Sequence, residues 1–321
     1  MLDRWKRAVI HLECATDSED FYGRIKRIER QRDLLDQGKI THEQFAEHVA
    51  GRSRDIRLHG TALFLSHSGR RYLLTARHVV WDERSAKRAL EGEERRSLAW
   101  PEDMRQHIIQ SAGERAQNNI FPIIFRVPSI DEVLAKKECG EFLMNLGAGA
   151  SFTVPYTFST PELDLALISL DQRDTCFAED LISHGFVPVS LDDVADAPDS
   201  EGQEVFTLGF PSSTALLGQV SLHPASARWS SSYYSLPVSS FGRVSMLHHA
   251  LPFFWADMSI YPGNSGGPVV TNDRLVGVVS AQATLAIDGV PDVYTRIPFA
   301  RIIKAKFVRE LLEIQVEKDQ R

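Results

Sequence analysis

Three short strings in this 321-residue chain carry residue types that could act together in nucleophilic chemistry. They are Thr75-Ala76-Arg77-His78-Val79, Asp164-Leu165-Ala166-Leu167-Ile168 and Gly263-Asn264-Ser265-Gly266-Gly267-Pro268. A serine hydroxyl is a poor nucleophile at neutral pH and needs a base within hydrogen-bond reach. A neutral imidazole suits that task because its pKa lies near the working pH. A carboxylate behind the imidazole fixes its tautomer and stabilises the imidazolium that forms. The glycines around Ser265 answer a separate need. Backbone N–H groups can face a developing oxyanion where the chain turns sharply and no Cβ stands in the way.

The elements that must position these strings are mostly strands. Residues 7–14 read as a short strand. Phe21, Ile25, Ile28 and Leu35 then fall at helical spacing, with Asp17 or Ser18 as cap and Gly38 as stop. Thr41 opens a second helix, with Gln44 completing a capping box and Ile40 against Phe45 as the staple. Residues 15–52 are therefore expected to form a helical hairpin. Strands over 56–65 and 72–80 meet at the turn His67-Ser68-Gly69-Arg70. The charged stretch from Trp81 to about Asn119 predicts solvated helices, the second opening at Pro101, and 129–137 predicts another short helix. Beyond Ala150 strands are expected at 152–158, 165–170, 186–191, 204–211, 268–272, 275–283 and 292–297, with a Ser-rich loop at 226–240. A terminal helix from about Pro298 to Glu317 would place Ile302, Ile303, Phe307, Leu311 and Leu312 on one face.

Composition narrows the function classes. Hydrophobic residues at 43% and charged residues at 25% are ordinary globular values, which excludes disordered and fibrous classes. The formal charge of −7 gives no basic footprint for nucleic acid. No apolar run approaches a membrane span, and the opening residues lack the apolar core of a signal peptide, so a cytoplasmic location is expected. Cys14, Cys139 and Cys176 are odd in number and lack a CxxC spacing. They read as small buried side chains, not as a disulfide frame or zinc site. The adjacent His248-His249 pair reads as polar loop, since neighbouring side chains project apart and no ligand-spaced Cys or carboxylate accompanies it. No metal or cofactor is expected.

With these strings in the order His, Asp, Ser, the chain resembles the trypsin/chymotrypsin-like serine peptidases, and among them the bacterial trypsin-like and Deg-like branch. The resemblance extends to Gly60-Thr61-Ala62-Leu63-Phe64 before the histidine, to Val205–Pro211, to Leu275-Val276-Gly277-Val278-Val279-Ser280, and to Val293-Tyr294-Thr295-Arg296. It implies an all-β fold of two antiparallel six-stranded barrels with the active site in the cleft between them. The first barrel would span 1–180, with helical insertions at about 15–52 and 81–138. The second would span 181–321 and include the C-terminal helix from about 298. It further implies His78 as general base and acid, Asp164 as its orienting partner and Ser265 as nucleophile. The N–H groups of Gly263 and Ser265 would form the oxyanion hole, and Ser280 would support Asp164.

The same resemblance implies a serine endopeptidase acting on proteins or peptides. Ser280, Ala281 and Gln282 would pair with substrate backbone, Ser259 would help form the pocket floor, and Val293–Arg296 would close its back. Asp292 in that pocket would favour Arg or Lys at P1, the residue whose carbonyl is attacked, whereas Gln282 at the mouth would favour small side chains. Asn264 stands where digestive relatives keep an Asp that pairs with a new N-terminus, so activation by trimming is not expected. A cytoplasmic peptidase implies narrow specificity or control by a partner docked on the helical insertions. Two rival readings are a catalytically silent module that binds peptides along Ser280–Gln282, and an esterase on the same triad.

Overall fold

The computed structural model describes residues 1–16, 21–50, 55–135, 142–145, 155–171, 177–219, 231–290 and 292–320. Cys139 and Cys176 lie outside them, while Cys14 is a buried free thiol. No helix among the described residues is long and apolar enough to cross a membrane.

Eight strands build the first sheet: β1 (Val9–Thr16), β2 (Asp55–His67), β3 (Arg70–Ala76), β4 (Ile123–Arg126), β5 (Phe142–Asn145), β6 (Tyr156–Phe158), β7 (Leu165–Ser169) and β8 (Val189–Ser190). Their order is β5-β4-β1-β2-β3-β7-β6, antiparallel throughout, with β8 added to β2 in parallel. Alternation along the strands sends Ile10, Leu12, Ala62, Phe64, Leu73, Ala166 and Ile168 to one face. Val9, Leu63, Leu65, Leu74, Leu165 and Leu167 point to the other. Both faces are covered, which is why these strands read as apolar runs with little polar alternation.

The second half contributes β9 (Glu204–Gly209), a hairpin of β10 (Leu216–Gln219) and β11 (Tyr233–Ser235), then β12 (Val238–Met246), β13 (Phe253–Asp257), β14 (Pro268–Thr271), β15 (Arg274–Ala286) and β16 (Tyr294–Lys304). Six of them close into an antiparallel barrel in the order β12-β13-β16-β15-β14-β9. Phe206, Leu208, Val270, Val278 and Ile303 of this half share one core with the second face of the first sheet.

The expectation of two closed barrels holds for this half alone. Among the described residues the first sheet stays open, with β5 and β6 at its edges. The β6 edge is covered by the terminal helix instead, since Lys318 Nζ donates to the Tyr156 carbonyl at 3.1 Å. The Thr157 hydroxyl donates to Gln315 Oε1 at 2.6 Å, and the Ser169 hydroxyl to Asp319 Oδ2 at 3.0 Å.

That helix also begins later than the sequence suggests. It spans Lys306–Gln320, and residues 298–304 belong to β16. Pro298 looks like the first residue of a helix, but it sits where the β15/β16 register shifts, a place that spares a strand its missing N–H. Two further differences concern 186–191, where β8 is a two-residue strand after the helix Phe177–Ser183, and 226–240, where β11 and the start of β12 replace part of the expected loop.

The helices Phe21–Asp36 and His42–Ala50 occupy the core of the expected hairpin, because β1 continues to Thr16 and β2 begins at Asp55. Thr41 and Gln44 form the expected reciprocal cap, N–H to side chain in both directions at 2.9 and 3.1 Å. Helices Glu83–Ser97 and Glu102–Ala116 follow β3, the second starting directly after Pro101.

Candidate active site

β3 ends at Ala76 and a single helical turn, Arg77–Val80, carries His78 where the sequence suggests that the strand continues. Asp164 directly precedes β7, which pairs with β3 through Ala76↔Leu165, so sheet register alone brings the two residues together. The Arg77 N–H donates to the Asp164 carbonyl at 2.9 Å, and the His78 N–H to Asp164 Oδ1 at 3.0 Å. Asp164 Oδ2 lies 2.8 Å from His78 Nδ1 and accepts the Ser280 hydroxyl at 2.8 Å. Asp164 itself sits at φ +49°, a left-handed conformation that Asp tolerates better than most residues. The carboxylate is thus held from three sides, and Nε2 of His78 is left to face the cleft.

Ser265 lies in the turn between β13 and β14. Gly263 (φ +104°) and Gly266 (φ +85°) give that turn its shape, and neither position has room for a side chain. A Cβ on Gly263 would stand 2.1 Å from the Phe210 carbonyl oxygen, and one on Gly266 would stand 2.0 Å from that of Thr61. The turn is braced from the first sheet. Thr61 on β2 donates its hydroxyl to the Gly263 carbonyl (2.8 Å) while accepting from the Phe210 N–H (3.0 Å). The Thr61 N–H reaches the Ser265 carbonyl at 2.9 Å, and Thr75 of β3 donates to the Thr61 carbonyl at 2.7 Å. Among the described residues the N–H groups of Gly263 and Ser265 have no intramolecular acceptor. They are free to donate to a bound oxygen. Asn264 turns inward, and its Oδ1 accepts the Tyr261 N–H at 3.0 Å.

These groups share one pocket of about 380 Å³, whose lining includes His78, Asp164, Gly263, Ser265, Ser280, Ala281 and Gln282. Two expected pocket residues are elsewhere. Ser259 is exposed and outside the lining, with its neighbour Ile260 in the wall. Asp292 is exposed at φ +60° beyond the end of β15, also outside the lining. Register sets this: Val279, Ala281 and Gln282 of the wall pair with Ile302, Arg301 and Ala300, and of β16 it is Arg296 that reaches the lining. Val293–Arg296 lies further out along the hairpin, with Arg296 opposite Thr284.

Arg301 and His59 belong to none of the strings read from the sequence, and Arg296, the last residue of the Val293–Arg296 string, takes a place of its own. Arg301 donates to the Ser280 hydroxyl (3.2 Å) and to the Glu162 carbonyl (2.9 Å), placing a cation behind Asp164. Arg296 and His59 both line the pocket. His59 belongs to a buried cluster under the cleft: its Nδ1 lies 3.3 Å from Nε2 of His11, whose Nδ1 is 2.8 Å from the Ser235 hydroxyl. Glu13, opposite His59 on β1, is hydrogen-bonded to Ser231.

Burial lowers the pKa of both histidines, the proximity of His59 adding to the effect at His11. Burial raises Glu13 to about 7, partly opposed by the Ser231 hydrogen bond. Between pH 5 and 6 native Glu13 is therefore largely protonated and the two imidazoles hold protons less firmly than in the unfolded chain, where the carboxylate is largely ionised. Glu13 alone makes stability fall as pH rises through this window, and the histidines make it rise. Glu13→Gln removes the falling component. Its unfolding free energy is expected to climb more steeply with pH than that of the wild type, by about 1.4 kcal/mol per pH unit, in urea titrations at pH 5 and 6.

The trypsin-like peptidase domain family matches residues 60–278, a segment that contains His78, Asp164 and Ser265. Over 139 residues the chain is 38% identical to the serine protease PepD of Mycobacterium tuberculosis (strain ATCC 25618 / H37Rv), a match covering 42% of this chain and 26% of PepD. Among solved structures the chain is similar to a thermostable serine protease, AL20, from an extremophilic microorganism (TM-score 0.46, 9% identity, 98% of this chain and 99% of that one). It is also similar to the serine protease domain of the Sesbania mosaic virus polyprotein (TM-score 0.39, 14% identity, 79% of this chain and 85% of that one). With the family match running across both halves of the cleft, the chain belongs to the trypsin-like peptidase family.

Proposed function

We propose that the chain is a serine endopeptidase that cleaves protein substrates through an acyl-enzyme on Ser265. The observation that carries this reading is the hydrogen-bonded chain His78–Asp164–Ser280 meeting Ser265 and two unpartnered backbone N–H groups in one pocket. His78 takes the Ser265 proton as Oγ attacks the carbonyl carbon, and returns it to the leaving amine. Asp164 holds the ring and stabilises its charged form. The N–H groups of Gly263 and Ser265 receive the oxyanion. Water then repeats the sequence on the ester. The rival is a silent module that binds an extended peptide along Ser280–Gln282. A fluorophosphonate separates the two: the peptidase gains one phosphonyl adduct on Ser265, seen by peptide mass mapping and absent in Ser265→Ala, and the silent module gains none.

We also infer narrow specificity, with the helices between β1 and β2 presenting the substrate protein or a regulator. In support, β2 enters the sheet at Asp55, a few residues before Leu58 and His59, which line the pocket. Replacing residues 21–50 with a short Gly/Ser bridge is expected to spare turnover of small peptides and impair cleavage of the physiological protein. Equal losses on both substrates would assign the helices to folding alone. A reducing compartment such as the cytoplasm accords with the buried free thiol of Cys14.

A further inference from the structure

The charge of the pocket points to its substrate. Beyond Ser265, one wall is built from Ile260–Gly263 and the facing wall from Val279–Gln282, and Thr284 and Arg296 stand opposite each other on the β15/β16 hairpin. The Gln282 side chain is pinned by a 3.2 Å bond from Nε2 to the Ile297 carbonyl. Asp164 is the carboxylate in the lining, and it is committed to His78 and Ser280. Arg296 is the cation in the lining, and among the described residues no carboxylate pairs with it. An unpaired guanidinium beside a pocket attracts a carboxylate in bidentate geometry and repels an incoming ammonium or guanidinium. Asp292, the acidic residue expected in the pocket, lies outside the lining.

We propose that Arg296 gives the site a preference for an acidic side chain, Glu or Asp, at P1. The inference rests on Ser265 being the nucleophile, since that fixes which part of the pocket receives P1. Gln282 and Thr284 supply neutral hydrogen-bonding groups beside the guanidinium. Because Arg296 is exposed, its ion pair with substrate is screened, which bounds the effect at roughly fivefold.

Fluorogenic tetrapeptides that differ only in Glu, Asp, Gln, Ala or Lys at P1 provide the test, with kcat/KM as readout. The wild type is expected to favour Glu over its uncharged isostere Gln by roughly fivefold, with Lys lower still. In Arg296→Ala the Glu and Gln substrates become equal to within about twofold, and in Arg296→Glu the order of Glu and Lys inverts. Asp292→Ala leaves the ratios unchanged. A wild-type preference for Lys or Ala overturns the proposal, as does a Glu preference that survives Arg296→Ala. A parallel series measures binding of peptides ending in Glu, Gln or Lys to Ser265→Ala by fluorescence anisotropy, where the same order of Kd is expected. If the wild type neither turns over substrate nor takes up fluorophosphonate, the acyl-enzyme reading fails, and the binding series still decides the role of Arg296.

Discussion

Ser265→Ala and His78→Ala are each expected to lower kcat on a peptide substrate by about 10⁴-fold or more. The double variant should be little worse than either single one. The two side chains act as one unit, so removing either leaves the oxyanion donors and substrate binding with no activated nucleophile. The fold should be intact in both, because neither side chain belongs to the apolar core: His78 is 44% exposed and Ser265 is half-buried. Thermal unfolding within a degree or two of wild type, beside the lost turnover, is the expected pair of results. A Ser265→Ala protein that still cleaved at the wild-type rate would place the nucleophile elsewhere.

Gly263→Ala is expected to reach a comparable loss by another route. The new methyl group would stand 2.1 Å from the Phe210 carbonyl oxygen at φ +104°, so the backbone must shift. That shift carries both candidate oxyanion donors away from the position they must hold. Loss of one well-placed donor lowers kcat by about 10²–10³-fold. With Ser265 and His78 still present, kcat should fall far more than KM rises. A single-turnover measurement would show slow acylation, and unchanged acylation would remove Gly263 from the chemistry.

How much of this was legible in the sequence depended on how local the signal was. The strings around His78, Asp164 and Ser265 are short, and pairing of β3 with β7 joins two of them by simple register. The cap at Thr41–Gln44 was equally readable, because a reciprocal side-chain bond spans three residues, whereas the like cap at Ser129–Glu132 was not picked out. β12 was not readable. Its sequence VSSFGRVSM buries Val244 alone, and the strand is held by pairing with β9 and β13 instead of by an apolar face. The pocket wall failed for a related reason. Two register shifts between β15 and β16 move every later partner, and no residue before them announces the offset. Asp292 and Ser259 were assigned by counting along the chain, whereas Arg301 is brought in by pairing across it.

The brace on the nucleophile's turn has an implication for damaged copies of the protein. Thr61 sits on β2 of the first sheet, yet its side chain fixes the Gly263 carbonyl and its N–H fixes that of Ser265, both in the second half. Heat, oxidation or a nick that loosens the first sheet therefore slackens the turn as well. A molecule whose first sheet has loosened is then expected to lose turnover with that sheet. For a chain proposed to cleave proteins, that coupling would act as a safeguard.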